Sequence, residues 1–120
     1  EPAVPFALSF ERIAKAHVLL NVSPIFNRGM HDRVPAGMAN YAVVLTDENP
    51  YLRRTFTDGK ELLFYSLEKP DTLCEQAERA LTDVRLREKI AASAYETFER
   101  EYTWKRRAEQ ILAFAEEVEA

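Results

Sequence analysis

One cysteine, two histidines and three glycines in 120 residues exclude several kinds of chemistry. A lone Cys74 cannot form an internal disulfide. A chain without a disulfide framework fits a reducing compartment, here expected to be the cytoplasm. His17 and His31 are too few and too far apart in the chain to be joined with Cys74 into a metal site, so no metal or other cofactor is expected. Glycine-rich phosphate cradles are missing: there is neither a Walker loop nor a G-x-G-x-x-G fingerprint, and no G-x-S-x-G elbow. No apolar run approaches the ~20 residues of a membrane span. The formal net charge of -4 argues against nucleic acid or an anionic membrane as the main partner. The length suits one small domain, residues 1–120. The chain opens on Glu1-Pro2, without a basic n-region, and soon reaches a helix-like segment. It is expected to be a C-terminal fragment of a larger protein.

What the chain does contain is an alternation of short apolar runs and helical patterns. Residues 1–8 read as an extended lead-in, because Pro2 and Pro5 disfavour helix. Ser9 is a suitable cap, and Phe10, Ile13, Ala14 and His17 recur at helical spacing, which predicts a helix near 9–17. Val18 to Val22 is a buried strand stopped by Pro24. Pro35 suits the first turn of a helix beginning near Asp32. Gly37 either weakens that helix or lets it pack closely on a sheet. Ala42–Leu45 is a second strand, Asn49-Pro50 starts a helix carrying Tyr51, Leu52 and Phe56, and Asp58-Gly59 stops it. Leu62–Tyr65 is a third strand.

The rest, 70–120, is helical. Leu73, Ala77, Ala80 and Leu81 form a stripe over Asp71–Leu81, with Cys74 expected as core filler beside it. Thr82 is the expected cap of a longer helix carrying Leu86, Ile90, Ala94 and Phe98. Thr103 is the expected cap of a last one carrying Trp104, Ala108, Ile111, Leu112, Ala115 and Val118. The order α-β-α-β-α-β-α-α-α implies parallel strands joined by right-handed crossovers. The fold class is α/β: a partial Rossmann-like domain, with a three-stranded parallel sheet and flanking helices over 9–67 and a helical C-terminal region. Three strands are few for a doubly wound sheet. The others are expected before residue 1, and the uncovered edge and apolar face suggest a homodimer.

Functional side chains concentrate between the first strand and the second helix, at Asn27, Arg28, Gly29, Met30, His31, Asp32 and Arg33. Open α/β sheets bind ligands outside the carboxyl ends of their strands. A helix start there offers N–H groups and a positive dipole end to an anion such as phosphate. Arg28 and Arg33 add charge-assisted bonds, and His31 can donate to an oxygen or carry a proton. Asp32 either caps the helix or accepts from a sugar hydroxyl. Read without a ligand, the same cluster is a solvated loop between strand and helix.

The ordered series Leu20-Asn21-Val22-Ser23-Pro24, His31-Asp32-Arg33-Val34, Met38-Ala39-Asn40 and Ala42-Val43-Val44-Leu45-Thr46-Asp47 resembles the C-terminal domain of bacterial glycosyltransferases. These are two-Rossmann-domain (GT-B) enzymes of the group 1 type, near the spore-maturation-like branch. The likeness continues through Asp58-Gly59-Lys60-Glu61, Leu63-Phe64-Tyr65 and Tyr102-Thr103-Trp104, over roughly residues 9–115. It implies that this domain binds a nucleotide-sugar donor, with Gly29 to Arg33 meeting the diphosphate and sugar. It also implies a separate N-terminal domain for the acceptor, without which the fragment is inactive. Two glutamates usual in the family fall here at Arg28 and Ala36, and a glycine usual after the second helix is Tyr41. No catalytic residue is assigned within the chain. A different class of function is a non-catalytic α/β interaction module. A receiver-like signalling domain would need an acidic pair that Asp47 alone does not supply.

Overall fold

A computed structural model describes residues 2–25 and 27–120; Glu1, the first residue of the expected lead-in, lies outside them. The elements follow the expected order: α1 (Phe6–Ala14), β1 (Val18–Asn21), α2 (Arg33–Ala39), β2 (Val43–Asp47), α3 (Pro50–Thr55), β3 (Leu63–Tyr65), α4 (Asp71–Thr82), α5 (Val84–Glu101) and α6 (Trp104–Glu119). The strands form one parallel sheet, β1-β2-β3, in which Asn21 lies beside Thr46 and Asp47 beside Tyr65. All three strands therefore point their carboxyl ends the same way. The fold is α/β, and the three-stranded sheet flanked by helices is consistent with part of a Rossmann-like domain.

The central strand β2 is buried throughout, as a strand covered on both faces must be. Its alternate residues feed two cores. Val44 joins Val34, Met38, Leu52, Phe56, Phe64 and Ala94 on one face. Val43 and Leu45 join Leu63, Tyr65, Ala80, Ile90 and Ala91 on the other. The helix α5 contributes to both, through Ala94 and through Ile90 and Ala91. Gly37 is the point of closest approach between α2 and the sheet. A Cβ there would come within 2.6 Å of Val44 Cγ2 and 2.9 Å of Leu19 Cδ2. Close packing, the second of the two readings of this glycine, is the one realised.

Helix boundaries differ from expectation where capping chemistry had a rival. The first helix starts at Phe6, not Ser9. Pro5 holds the N-cap position with φ -53° and ψ 144°, and Ser9 instead donates its hydroxyl back to the Phe6 carbonyl at 2.6 Å. A proline fixes φ at a value that suits helix entry. The Thr82 hydroxyl is likewise spent on the Glu78 carbonyl, 2.7 Å away, so Asp83 caps α5 by accepting from Leu86 N–H at 3.0 Å. Asn49 and Thr103 cap as expected, accepting from Leu52 N–H at 2.7 Å and Arg106 N–H at 3.1 Å. Cys74 is exposed rather than core filler. The buried line of α4 runs Leu73, Ala77, Ala80, and Cys74 and Leu81 each fall one residue off it.

Tyr41 follows α2 in the left-handed region, with φ 55°, a conformation that favours glycine. Its ring stacks on Tyr95 with centroids 4.3 Å apart and planes at 14°. That stacking offsets backbone strain which a side chain at positive φ otherwise carries.

Candidate functional site

The carboxyl ends of the three strands meet in a polar network organised by Asn21. This residue is fully buried, so each of its polar groups needs a partner. Its side-chain nitrogen donates to Thr46 Oγ1 at 2.9 Å and to Ser23 Oγ at 3.1 Å. Its Oδ1 accepts from Arg33 Nε at 2.9 Å, and its backbone carbonyl accepts from the Tyr65 hydroxyl at 2.9 Å. Asp47, only 2% exposed, accepts the Ser23 backbone N–H at 2.8 Å. Burial first, and then the nearby Asp47 carboxylate, push the Tyr65 phenol above its ordinary value. One network thus ties together the ends of β1, β2 and β3 and the first residue of α2.

Arg33 is the cation of this site. Besides Nε on Asn21, its Nη2 donates to the Val22 carbonyl at 3.2 Å. Two bonds hold the guanidinium plane at the mouth of the strand ends. Among the described residues, Nη1 has no protein acceptor. A guanidinium fixed by two bonds and open along its remaining edge is preorganised for an anion, since little rotamer freedom is left to lose.

The other residues of the 27–33 loop are brought to the same end of the sheet, with different surroundings. Asn27 and Arg28 are exposed. The Gly29 carbonyl accepts from Asn49 Nδ2 at 3.3 Å, which ties the loop to the start of α3. Met30 packs against the core around Val34 and Leu52 and anchors the loop from beneath. Asp32 is 79% exposed along its side chain and makes no capping bond, so of its two readings the cap is not the one formed. His31 takes that place. Its Nδ1 lies 3.1 Å from Arg33 N and 2.5 Å from Asp32 Oδ1. One nitrogen cannot serve both at once. Nδ1 accepts from the Arg33 amide when it is unprotonated and donates to Asp32 when it carries a proton. The Val34 amide also bonds back, to the His31 carbonyl at 3.0 Å. Two of the amides at this helix start are therefore already engaged, and the cationic character of the site rests on the arginine side chains.

Ala36, Asp32 and Arg33 face a groove of about 580 Å³ that runs between α1, α2 and the junction of α5 with α6. Its far wall is aromatic: Phe6, Phe10, Tyr102 and Trp104. Position 36 thus opens onto the groove with a short side chain.

A family model described as glycosyl transferase-like matches residues 2–113. The chain belongs to that family. No curated protein matches it. As a member of a glycosyltransferase-like family, its function is of the glycosyl-transfer type, and a sugar donor is the substrate this implies. Among the described residues no helix is long and apolar enough to cross a membrane.

The Asn21, Ser23, Thr46, Asp47 and Tyr65 network was not singled out from the sequence of this glycosyltransferase-like chain. A signal was available. Each apolar strand run ends in a polar residue, Leu20-Asn21, Leu45-Thr46-Asp47 and Tyr65-Ser66, and parallel strands bring such ends together.

Proposed function

We propose that this chain is the donor-binding portion of a two-domain glycosyltransferase, taking a nucleotide-diphosphate sugar at residues 27–33. Arg33, held by Asn21 and Val22 with one edge open, carries the reading, with exposed Arg28 as a second cation. In glycosyl transfer the bond from the anomeric carbon to the diphosphate breaks as the acceptor hydroxyl oxygen bonds to that carbon. Negative charge then grows on the departing diphosphate. A preorganised guanidinium stabilises that charge more in the transition state than in the ground state, which is what accelerates the step. The base that takes the acceptor proton, and the acceptor site, belong to an N-terminal domain outside these residues. The isolated chain is accordingly a binding domain without turnover.

Calorimetry with UDP, GDP and ADP tests the role of Arg33. Loss of a charge-assisted bond costs roughly 1.5–3 kcal/mol, so Arg33→Ala is expected to weaken nucleotide binding by about ten- to a hundredfold. In the full enzyme it is expected to lower turnover by about two orders of magnitude, comparable to losing one oxyanion donor. Unchanged affinity and turnover would remove Arg33 from the site. A second reading, a non-catalytic interaction module built on the same fold, is favoured by Arg28 and Ala36 standing where the family usually has acids. No heat with any of the three nucleotides would favour it.

A further inference from the structure

The two acceptors that hold Arg33 have a common origin. Its Nη2 donates to the Val22 carbonyl at 3.2 Å and its Nε to Asn21 Oδ1 at 2.9 Å. The Val22 carbonyl belongs to the same peptide unit as the Ser23 N–H, and that N–H donates to Asp47 Oδ1 at 2.8 Å. A trans peptide is planar, with its C=O and N–H pointing in opposite directions, so the bond to Asp47 turns the carbonyl toward Arg33. The second route runs through side chains. Thr46 Oγ1 has two acceptors within reach at Asp47, the backbone carbonyl at 3.2 Å and the carboxylate Oδ1 at 3.4 Å. A hydroxyl carries one proton, and neither of these oxygens supplies another. The Thr46 proton therefore points to Asp47, and a lone pair is left for Asn21. Only the NH2 end of the Asn21 amide can meet that lone pair, at 2.9 Å, which turns its Oδ1 toward the guanidinium. Arg33 can only donate, so the reverse orientation would set NH2 against N–H at one end and oxygen against a lone pair at the other.

We infer that Asp47 is a positioning residue, which aims the Arg33 guanidinium along these two arms, with Thr46 as the link in one of them. Resting on the donor reading above, the ligand so served is the diphosphate of a nucleotide sugar. Burial makes the arrangement effective. Asn21 and Thr46 are fully buried and Asp47 is 2% exposed, so bulk water does not compete for these bonds. The groups also share one rigid support. Asn21 ends β1, Thr46 and Asp47 end β2, and Asn21 and Thr46 are partners in the parallel register. Arg33 leads α2, so the aim passes from the sheet to the start of the helix. A guanidinium held in this way presents its open edge in one direction, and an anion bound there takes little further rotamer freedom from it. The supporting shell, and not the arginine alone, then sets how well the site is preorganised.

NMR of the full 120-residue chain and calorimetry with UDP, GDP and ADP test this together. In the free chain the Arg33 Nε–H resonance is expected to be resolved and slow to exchange with water. Thr46→Val keeps the shape of the side chain and suits a strand, but removes the hydroxyl. It is expected to return that resonance to rapid exchange and to weaken nucleotide binding by about three- to tenfold. Thr46→Ser restores the hydroxyl and is expected to recover most of both. Asp47→Ala takes away the acceptor of the Ser23 N–H and is expected to have the same two effects; if it does not fold, Thr46→Val decides. Because Thr46 acts through Arg33, adding Thr46→Val to Arg33→Ala is expected to change affinity by less than about twofold. A resonance that stays protected in Thr46→Val overturns the proposal. So does wild-type affinity in that variant, or an undiminished loss on the Arg33→Ala background, which would mark Thr46 as merely structural. A wild-type chain that binds none of the three nucleotides removes the donor reading instead, and the resonance alone then decides whether Asp47 and Thr46 aim Arg33.

Discussion

Asn21 carries more of this structure than any other single side chain. Its carbonyl and its amide serve Arg33, Ser23, Thr46 and Tyr65 at once. Replacing it with leucine leaves buried partners unsatisfied, each costing about 1–3 kcal/mol. Asn21→Leu is therefore expected to destabilise the chain by roughly 2–4 kcal/mol in urea unfolding, and a loss under about 0.5 kcal/mol would show the network to be idle. Tyr65 adds a pH dependence. Its folded-state pKa is raised, so between the unfolded value of about 10 and the folded one the native chain holds more protons than the unfolded chain. Stability is then complete below about pH 10 and falls as pH rises through the folded value. Tyr65→Phe is expected to cost about 1 kcal/mol near neutrality and to flatten part of the alkaline decline. A decline unchanged in the variant would assign it to other groups. At this scale the sequence was only partly legible. The charges of 27–33 stand out in one dimension, whereas the hub needs three strand ends brought together. Cys74 was misplaced because a helical stripe one residue wide leaves its neighbours in water.

The elements were more legible than the contacts between them. Among the described residues the helices and strands follow the expected order, because each apolar run is either a short continuous stretch or has period 3.6, and turn or capping residues separate the runs. Errors fell at helix starts, where two capping residues compete within four positions: Pro5 against Ser9, and Asp83 against Thr82. The register of α2 on the sheet rests on Gly37. Alanine there would ordinarily improve a helix by about 1 kcal/mol. Here its methyl would meet the stiff, buried Val44 side chain at 2.6 Å. Gly37→Ala is expected to destabilise by about 1–3 kcal/mol, the usual cost of overpacking. A stabilised variant in thermal unfolding would mean that α2 can lift from the sheet at no cost.

At the scale of the whole molecule, the chain measures 52 × 32 × 31 Å and carries a two-faced sheet, a clamped arginine at one end and an uncovered helix at another. The family it belongs to was legible as an ordered series of short matches spread over most of the chain, no one of which is decisive alone. The exposure of α6 was not legible, since a stripe of apolar residues looks the same in sequence whether or not the rest of the chain covers it. The claim on which the proposed function depends is that a nucleoside diphosphate seats at the strand ends against Arg33. Titrating UDP, GDP and ADP into the isotopically labelled chain and following backbone amide resonances tests it directly. Saturable shifts confined to residues 27–36 and the Asn21 and Ser23 amides, with at least one of the three nucleotides, are the predicted result. Shifts elsewhere, or none with any nucleotide, would contradict it.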